Sequence, residues 1–258
     1  MDTNIYTAVW YNAFPPPSEH TERQVEFLAS VLRESGARSV LDVACGAGRH
    51  AFGLAHQGFD VLGIDTNREI LPPSTIGGSP QFRAHDMRMI DSLGISFDAV
   101  ICLWQSFGFF SDEVNAEVLS SFRRALSPGG IAILDIYCPG YWPAETEGPR
   151  ISTRNTPAGT ELTTTARRTG SRLGVSITEP EGSVVGDFDW RLYEPGEIDD
   201  LASMAGLRTI QMCRQFDLSL APSAESSAYQ IVFQRPVAES YRTCSSKTVA
   251  PDFADPHI

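Results

Sequence analysis

Three aspartates stand where short apolar runs end, and their types and spacing are the first sign of chemistry in this chain. Asp42 lies in Val40-Leu41-Asp42-Val43-Ala44-Cys45-Gly46-Ala47-Gly48-Arg49-His50, a strand pattern that passes through a small-residue turn into a helix. Glycines there let a ligand approach the backbone, and a helix N-terminus favours negative charge. Taken alone, Gly46-x-Gly48-x-x-Ala51 also fits the dinucleotide fingerprint or a purely structural turn. Asp65 closes Val61-Leu62-Gly63-Ile64-Asp65, where a carboxylate can accept both hydroxyls of a ribose at the carboxyl end of a sheet. Asp86, in Ala84-His85-Asp86-Met87-Arg88, can take the amino group of an adenine while the next backbone N–H meets a ring nitrogen. A lone strand-end Asp is more often a turn or cap residue, but three in register behind successive strands are not well explained that way.

Aromatic residues gather in stretches that suit a closed, water-poor pocket and a cationic ligand: Tyr6, Trp10, Tyr11 and Phe14, then Trp104-Gln105-Ser106-Phe107, then Tyr141 and Trp142. Phe107, Phe109 and Phe110 read equally well as core. His50 and His56 are six apart, too far for a shared metal in the i, i+4 manner, and no Cys or carboxylate joins them, so no metal site is expected. His56 reads as a satisfied structural histidine, His85 as a group orienting Asp86, and His20 as the functional one near the mouth of the site. The catalytic candidates are His20, Tyr11, Trp104 and Gln105.

The elements that must position these residues alternate. A Pro-rich break, Phe14 to Ser18, precedes a helix with Val25, Leu28, Ala29 and Leu32 on one face, Ser18 as its N-cap and Gly36 ending it. Strand-like runs at Ser39–Val43, Val61–Ile64, Gln81–Ala84, Ala99–Leu103 and Ile131–Ile136 are separated by helical patterns at Arg49–His56 and Asp112–Leu126, which argues a parallel sheet with crossover helices. Between the second and third strands, Leu71 to Pro80 cannot sustain a helix. After Tyr137 the pattern turns Thr-rich and alternating, at Glu161–Arg168, Arg172–Thr178 and Asp187–Leu192, as an inserted antiparallel patch. A helix from Glu194 to Gly206 and strands at Leu207–Cys213 and Tyr229–Gln234 resume the first pattern. The divisions expected are an N-terminal segment and core over 1–137, an inserted β lid over 138–193, a return to the core over 194–236 and a loose tail over 237–258.

In its motifs the sequence resembles the class I S-adenosylmethionine-dependent methyltransferases, and within them the small-molecule branch that includes glycine N-methyltransferase and the amino-sugar N,N-dimethyltransferases. The resemblance is carried by Leu41 to His50, Gly63-Ile64-Asp65, His85 to Arg88, Phe97 to Phe110, and Leu126-Ser127-Pro128-Gly129-Gly130. It implies an α/β fold with a Rossmann-like doubly wound, seven-stranded, mostly parallel sheet carrying the lid. It implies S-adenosyl-L-methionine as cofactor, S-adenosyl-L-homocysteine as its product, and methyl transfer to nitrogen or oxygen of a small metabolite. By that resemblance Asp42, Ala44, Gly46 and Gly48 face the methionine part, Asp65 and Thr66 the ribose, Asp86 and Met87 the adenine, and Leu103 and Trp104 the sulfonium. Relatives of the glycine N-methyltransferase kind have an Arg 22 positions before the first Asp; His20 stands there in this chain, which shifts the expected carboxylate contact to Arg23. Pro72, Pro73, Gly77 and Gly78 depart from the full helix that usually follows the ribose acid.

A nicotinamide dehydrogenase would share the glycines and Asp65 but would need neither Asp42 nor the Asp86-Met87 pair. A methyltransferase-like protein that catalyses a cyclisation, or only binds a ligand, is the alternative that motifs leave open. Composition narrows the partners. Twenty basic residues against 32 acidic leave a formal charge of −12, and Lys247 is the only lysine, so neither nucleic acid nor an anionic membrane surface is an expected partner. No apolar run approaches the roughly 20 residues of a membrane-spanning helix. Met1-Asp2-Thr3-Asn4 lacks the start of a secretory signal, pointing to the cytoplasm and, with the resemblance, to secondary metabolism. The five cysteines read as buried free thiols, and the lid edges leave room for a homodimer.

Overall fold

The computed structural model describes residues 18–237; Tyr6, Trp10, Tyr11, Phe14, Cys244 and all but the first residue of the tail expected over 237–258 lie outside the described residues. Helix α1 (Ser18–Glu34) buries Val25, Leu28, Ala29 and Leu32 as their spacing requires, with Glu19 in its first turn and Arg33 in its last, matching the helix dipole. Ser18 is already helical rather than a cap. Strands β1 (Ser39–Val43), β2 (Asp60–Asp65), β3 (Gln81–Ala84), β4 (Phe97–Cys102) and β5 (Leu126–Tyr137) follow, with α2 (Arg49–His56) after β1 and α3 (Asp112–Ala125) after β4. The 66–80 stretch has no helix, as its prolines and glycines dictate. Strand β5 starts five residues before the expected Ile131, because Ser127 to Gly130 extend the strand and Arg235 N–H reaches the Gly130 carbonyl.

Helix α4 (Pro195–Met204) and strands β10 (Arg208–Arg214) and β11 (Ala228–Gln234) complete a seven-stranded sheet of order β10-β11-β5-β4-β1-β2-β3. Only β11 runs against the rest, pairing antiparallel with both β5 and β10. Helices cover both faces. Leu28, Leu32, Leu54, Val40, Ile101 and Ile133 form the core under α1 and α2, while Leu41, Val100, Leu119, Phe122, Leu134 and Ile198 form the core under α3 and α4. Fully burying each such side chain contributes roughly 1.5–3 kcal/mol.

The inserted segment forms a separate antiparallel sheet of β6 (Arg150–Asn155), β7 (Glu161–Thr169), β8 (Arg172–Thr178) and β9 (Val184–Arg191). Alternation puts Leu162, Ala166, Leu173, Val175, Ile177, Phe188 and Trp190 on one buried face. Strand β6 is exposed throughout and carries no apolar alternation, so its sequence gave no strand signal. This sheet is tied to the loop after β4, where Arg191 N–H donates to the Gly108 carbonyl at 2.8 Å. A Cβ at residue 108 would lie 2.8 Å from the Arg191 carbonyl oxygen, so the approach requires glycine.

Candidate active site

Strand order reverses at β1, whose neighbours are β2 and β4, and the crevice at the carboxyl ends of these strands is where an open α/β sheet takes a ligand. Asp42 is 2% exposed there. Its carboxylate accepts from the Ala51 backbone N–H in the first turn of α2, while Oδ2 is buried without a hydrogen-bond partner. Burial pushes its pKa up to about 7; Arg49 lowers it and Asp65 raises it further. The turn beyond it holds Ala44, Gly46 and Gly48 at positive φ, 56°, 55° and 76°. Asp65, at the end of β2, accepts from Gly46 N–H at 2.9 Å on Oδ2 and from Asn67 N–H at 2.8 Å on Oδ1. Burial raises its pKa, opposed by those N–H groups and that of Thr66. Each Asp65 oxygen keeps lone-pair capacity for a hydroxyl.

Just past β4, Trp104 and Gln105 both adopt left-handed backbone, φ 57° and 56°. For non-glycine residues this costs on the order of 1 kcal/mol or more each, and such strain clusters at functional sites. Asp135 of β5 holds them: Oδ2 accepts from Trp104 N–H at 3.1 Å and Gln105 Nε2 at 2.8 Å, and the Asp135 carbonyl accepts from Gln105 N–H at 3.0 Å. Leu103 is buried beside them in the α1–α2 core. The Arg49 guanidinium lies 4.6 Å above the Trp104 ring and donates to Thr21 Oγ1 at 3.0 Å and Gln24 Oε1 at 2.7 Å on α1.

The structure gathers Asp42, Ala44, Gly46, Gly48 and Asp65 in one crevice, with Trp104 joined to it through Arg49. It treats other expected residues differently. Asp86 stands two residues past β3 and caps the short 3-10 helix Met87–Leu93 by accepting from Arg88 N–H. Both its oxygens also accept from the Arg88 guanidinium, which holds its pKa below the usual carboxylate range. Met87 packs against the core. His85 hydrogen-bonds the Met89 carbonyl at 2.8 Å rather than the Asp86 carboxylate, and the exposed His56 bonds the Phe52 carbonyl. His20 and Arg23 are exposed on α1, and the cation facing Asp42 is Arg49. Tyr11 lies outside the described residues. Among the described residues no group of His, Cys, Asp and Glu forms a metal cluster, and Cys45, Cys102, Cys138 and Cys213 are buried free thiols.

Sequence reading passed over Arg49, Asp135, Tyr137 and Trp190. The signal for Asp135 is present: a carboxylate on the same face as Ile131 and Ile133 in a buried strand must find donors. Trp190 of β9 donates its Nε1–H to the Gln105 carbonyl at 2.9 Å, so the lid touches the strained turn directly. Tyr137 meets Trp142 and Trp190 edge-on at 5.3 and 5.2 Å, and Phe109 lies 5.1 Å from Trp190. Phe107 is core, packed on Tyr193 at 5.9 Å.

Residues 40–130 match the model of a methyltransferase domain. The chain is similar to the glycine/sarcosine N-methyltransferase of Aphanothece halophytica, 37% identical over 117 residues that make up 43% of this chain and 44% of the relative. It is 29% identical to that of Halorhodospira halochloris over 52% of this chain and 55% of the relative. The chain thus spans about half the length of the curated relatives it matches. Its fold is that of the CcbJ methyltransferase of Streptomyces caelestis, with TM-score 0.72 and 18% identity over 89% of this chain and 96% of that one. The amino pentose methyltransferase of Micromonospora echinaspora, solved with S-adenosylmethionine bound, gives TM-score 0.66 and 19% identity over 90% and 98%.

Proposed function

The chain carries a class I S-adenosylmethionine-dependent methyltransferase domain, and from that premise we propose that it moves a methyl group from S-adenosyl-L-methionine to the nitrogen of a small amine, with a hydroxyl oxygen as the next choice. The observation that carries the cofactor is the partnerless, buried Oδ2 of Asp42 at the head of a small-residue turn, with Asp65 one strand away. These residues fit the group: Asp42 would take the ammonium, the 44–48 backbone the methionine chain, and Asp65 and Thr66 the ribose hydroxyls. The segment at Asp86 and Met87 borders the adenine, and Leu103 and Trp104 the sulfonium. The bound cofactor supplies an already activated methyl carbon.

The protein therefore has to align and dehydrate. It would align an uncharged amine with that carbon, and the amine proton would leave to solvent or to a base, for which His20 and Tyr11 are the candidates the sequence offers. Tyr137, Trp142 and Phe109, partly buried against the lid core around Trp190, stand by the carboxyl end of β5 as aromatic walls suited to a cationic or amine-bearing acceptor. Matching relatives are named as glycine/sarcosine N-methyltransferases, which supports nitrogen as the acceptor atom. A likeness to a methyltransferase of calicheamicin biosynthesis supports a place in secondary metabolism, and the exposed edge strand β6 supports a homodimer. The test is incubation with methyl-labelled S-adenosylmethionine and a panel of amines, amino sugars and phenols, read by mass spectrometry. Label in amines above all others supports the reading; transfer confined to nucleic acid or protein overturns it.

A further inference from the structure

Asp135 is the single carboxylate of β5 and is 2% exposed. Three side-chain and backbone N–H donors converge on it: Trp104 N and Gln105 Nε2 on Oδ2, and Gln230 Nε2 on Oδ1 at 2.8 Å. Gln230 stands opposite it in the β5–β11 register, and its Oε1 accepts from Phe216 N–H at 2.8 Å, which fixes the direction in which its amide points. Every neighbour in this set donates, so an ionised carboxylate satisfies all of them and a protonated acid or an amide does not. The path continues outward. The Gln105 carbonyl accepts from Trp190 Nε1, and Trp190 is 3% exposed in the core of the lid sheet.

We propose that Asp135 is a positioning residue for the methyl transfer inferred above, on which this inference rests: it holds Trp104 and Gln105 in their left-handed turn and thereby sets where the lid stands over the acceptor. Asp42 and Asp65 sit on β1 and β2, on the far side of β4, and would carry the ammonium and ribose contacts without it, so that only the Trp104 contact with the cofactor depends on Asp135. Loss of Asp135 thus separates acceptor alignment from cofactor affinity. A carboxylate that only stabilised the sheet would lower both in proportion to the folded fraction.

The experiment compares wild type, Asp135→Asn and Trp190→Phe by amide hydrogen exchange of the unliganded chain, calorimetry with S-adenosylhomocysteine, and steady-state kinetics with the best amine from the panel. Asp135→Asn should speed exchange at residues 104–105 and 188–191 beyond any global change. Acceptor kcat/KM should fall roughly 10- to 100-fold, the scale of a small misalignment, while thioether nucleoside binding is nearly kept. Trp190→Phe, which keeps the ring and deletes one N–H, should reproduce part of the kinetic loss, and the double variant should fall short of the product of the two. Exchange that rises evenly over the chain, or cofactor and acceptor affinities that decline together, overturns the proposal. If wild type binds the nucleoside yet methylates nothing, the methyl-transfer reading fails, and the exchange pattern still decides whether Asp135 couples turn and lid.

Discussion

The guanidinium of Arg49 lies 4.6 Å over the ring of Trp104, joining the first turn of α2 to the strained turn after β4. It also lowers the pKa of both Asp42 and Asp135. Arg49→Gln should therefore weaken S-adenosylhomocysteine binding by roughly tenfold, the order of one partly desolvated cation–π contact. Calorimetry, with Trp fluorescence reporting release of the ring, checks it; unchanged affinity would make Arg49 a packing residue only.

Asp42 has a folded pKa of about 7 because of burial, and its Oδ2 is buried without a hydrogen-bond partner. An ammonium group binds the ionised form, so affinity should rise with pH up to about 7 and then level off. Below that point it should fall by at most about tenfold per pH unit. Asp42→Asn should bind weakly at every pH and lose the slope. A flat wild-type profile between pH 6 and 8 would place the ammonium elsewhere.

Asp65→Ala removes the acceptor of Gly46 N–H and Asn67 N–H and the proposed ribose contact. S-adenosylhomocysteine binding should weaken by about 1–3 kcal/mol, as expected when buried polar groups lose their partner. Preferential binding of NADH over the thioether nucleoside would refute the cofactor assignment.

Stability should run opposite to the usual acid loss over one window. Asp42 and Asp135 have folded pKa values of about 7 and 6 against an ordinary 3.8, both through burial. Between those limits the native chain keeps protons that the unfolded chain has released, so their contribution is full below pH 4 and is lost as pH rises toward 7. The slope is at most about 1.4 kcal/mol per pH unit for each group. Urea unfolding of the unliganded chain should show a higher midpoint at pH 5 than at pH 7.5, and Asp42→Asn should shrink the difference while leaving the part that Asp135 contributes.

Replacing Thr153–Gly182 with a short Gly/Ser linker removes β7, β8 and half of β6. Cofactor affinity should persist, since Asp42 and Asp65 lie in the other sheet, while turnover of the native acceptor collapses. A lost oligomer with intact acceptor preference would assign the segment to assembly.

The sequence by itself determined what depends on local pattern. Alternating apolar runs and helical stripes specify β1 to β5, α1 to α4 and the Thr-rich insertion, because burial enforces a period of two in strands and 3.6 in helices. The glycines and aspartates of the 42–48 turn and Asp65 were legible for the same reason: their chemistry is set by neighbours a few residues away. Tertiary structure decided the rest. Asp135 meets Gln105 across 30 residues and Gln230 across 95, and Trp190 reaches Gln105 across 85, contacts that exist only once β5, β11 and the lid have docked. Arg49 is the cation beside Asp42 because α2 begins at the crevice, whereas Arg23, expected at the cofactor's carboxylate, is exposed to solvent on α1. The pairing of Asp86 with Arg88 is local, an i, i+2 ion pair at a helix start that needs no partner from elsewhere in the fold, and leaves its expected place at the adenine a proposal.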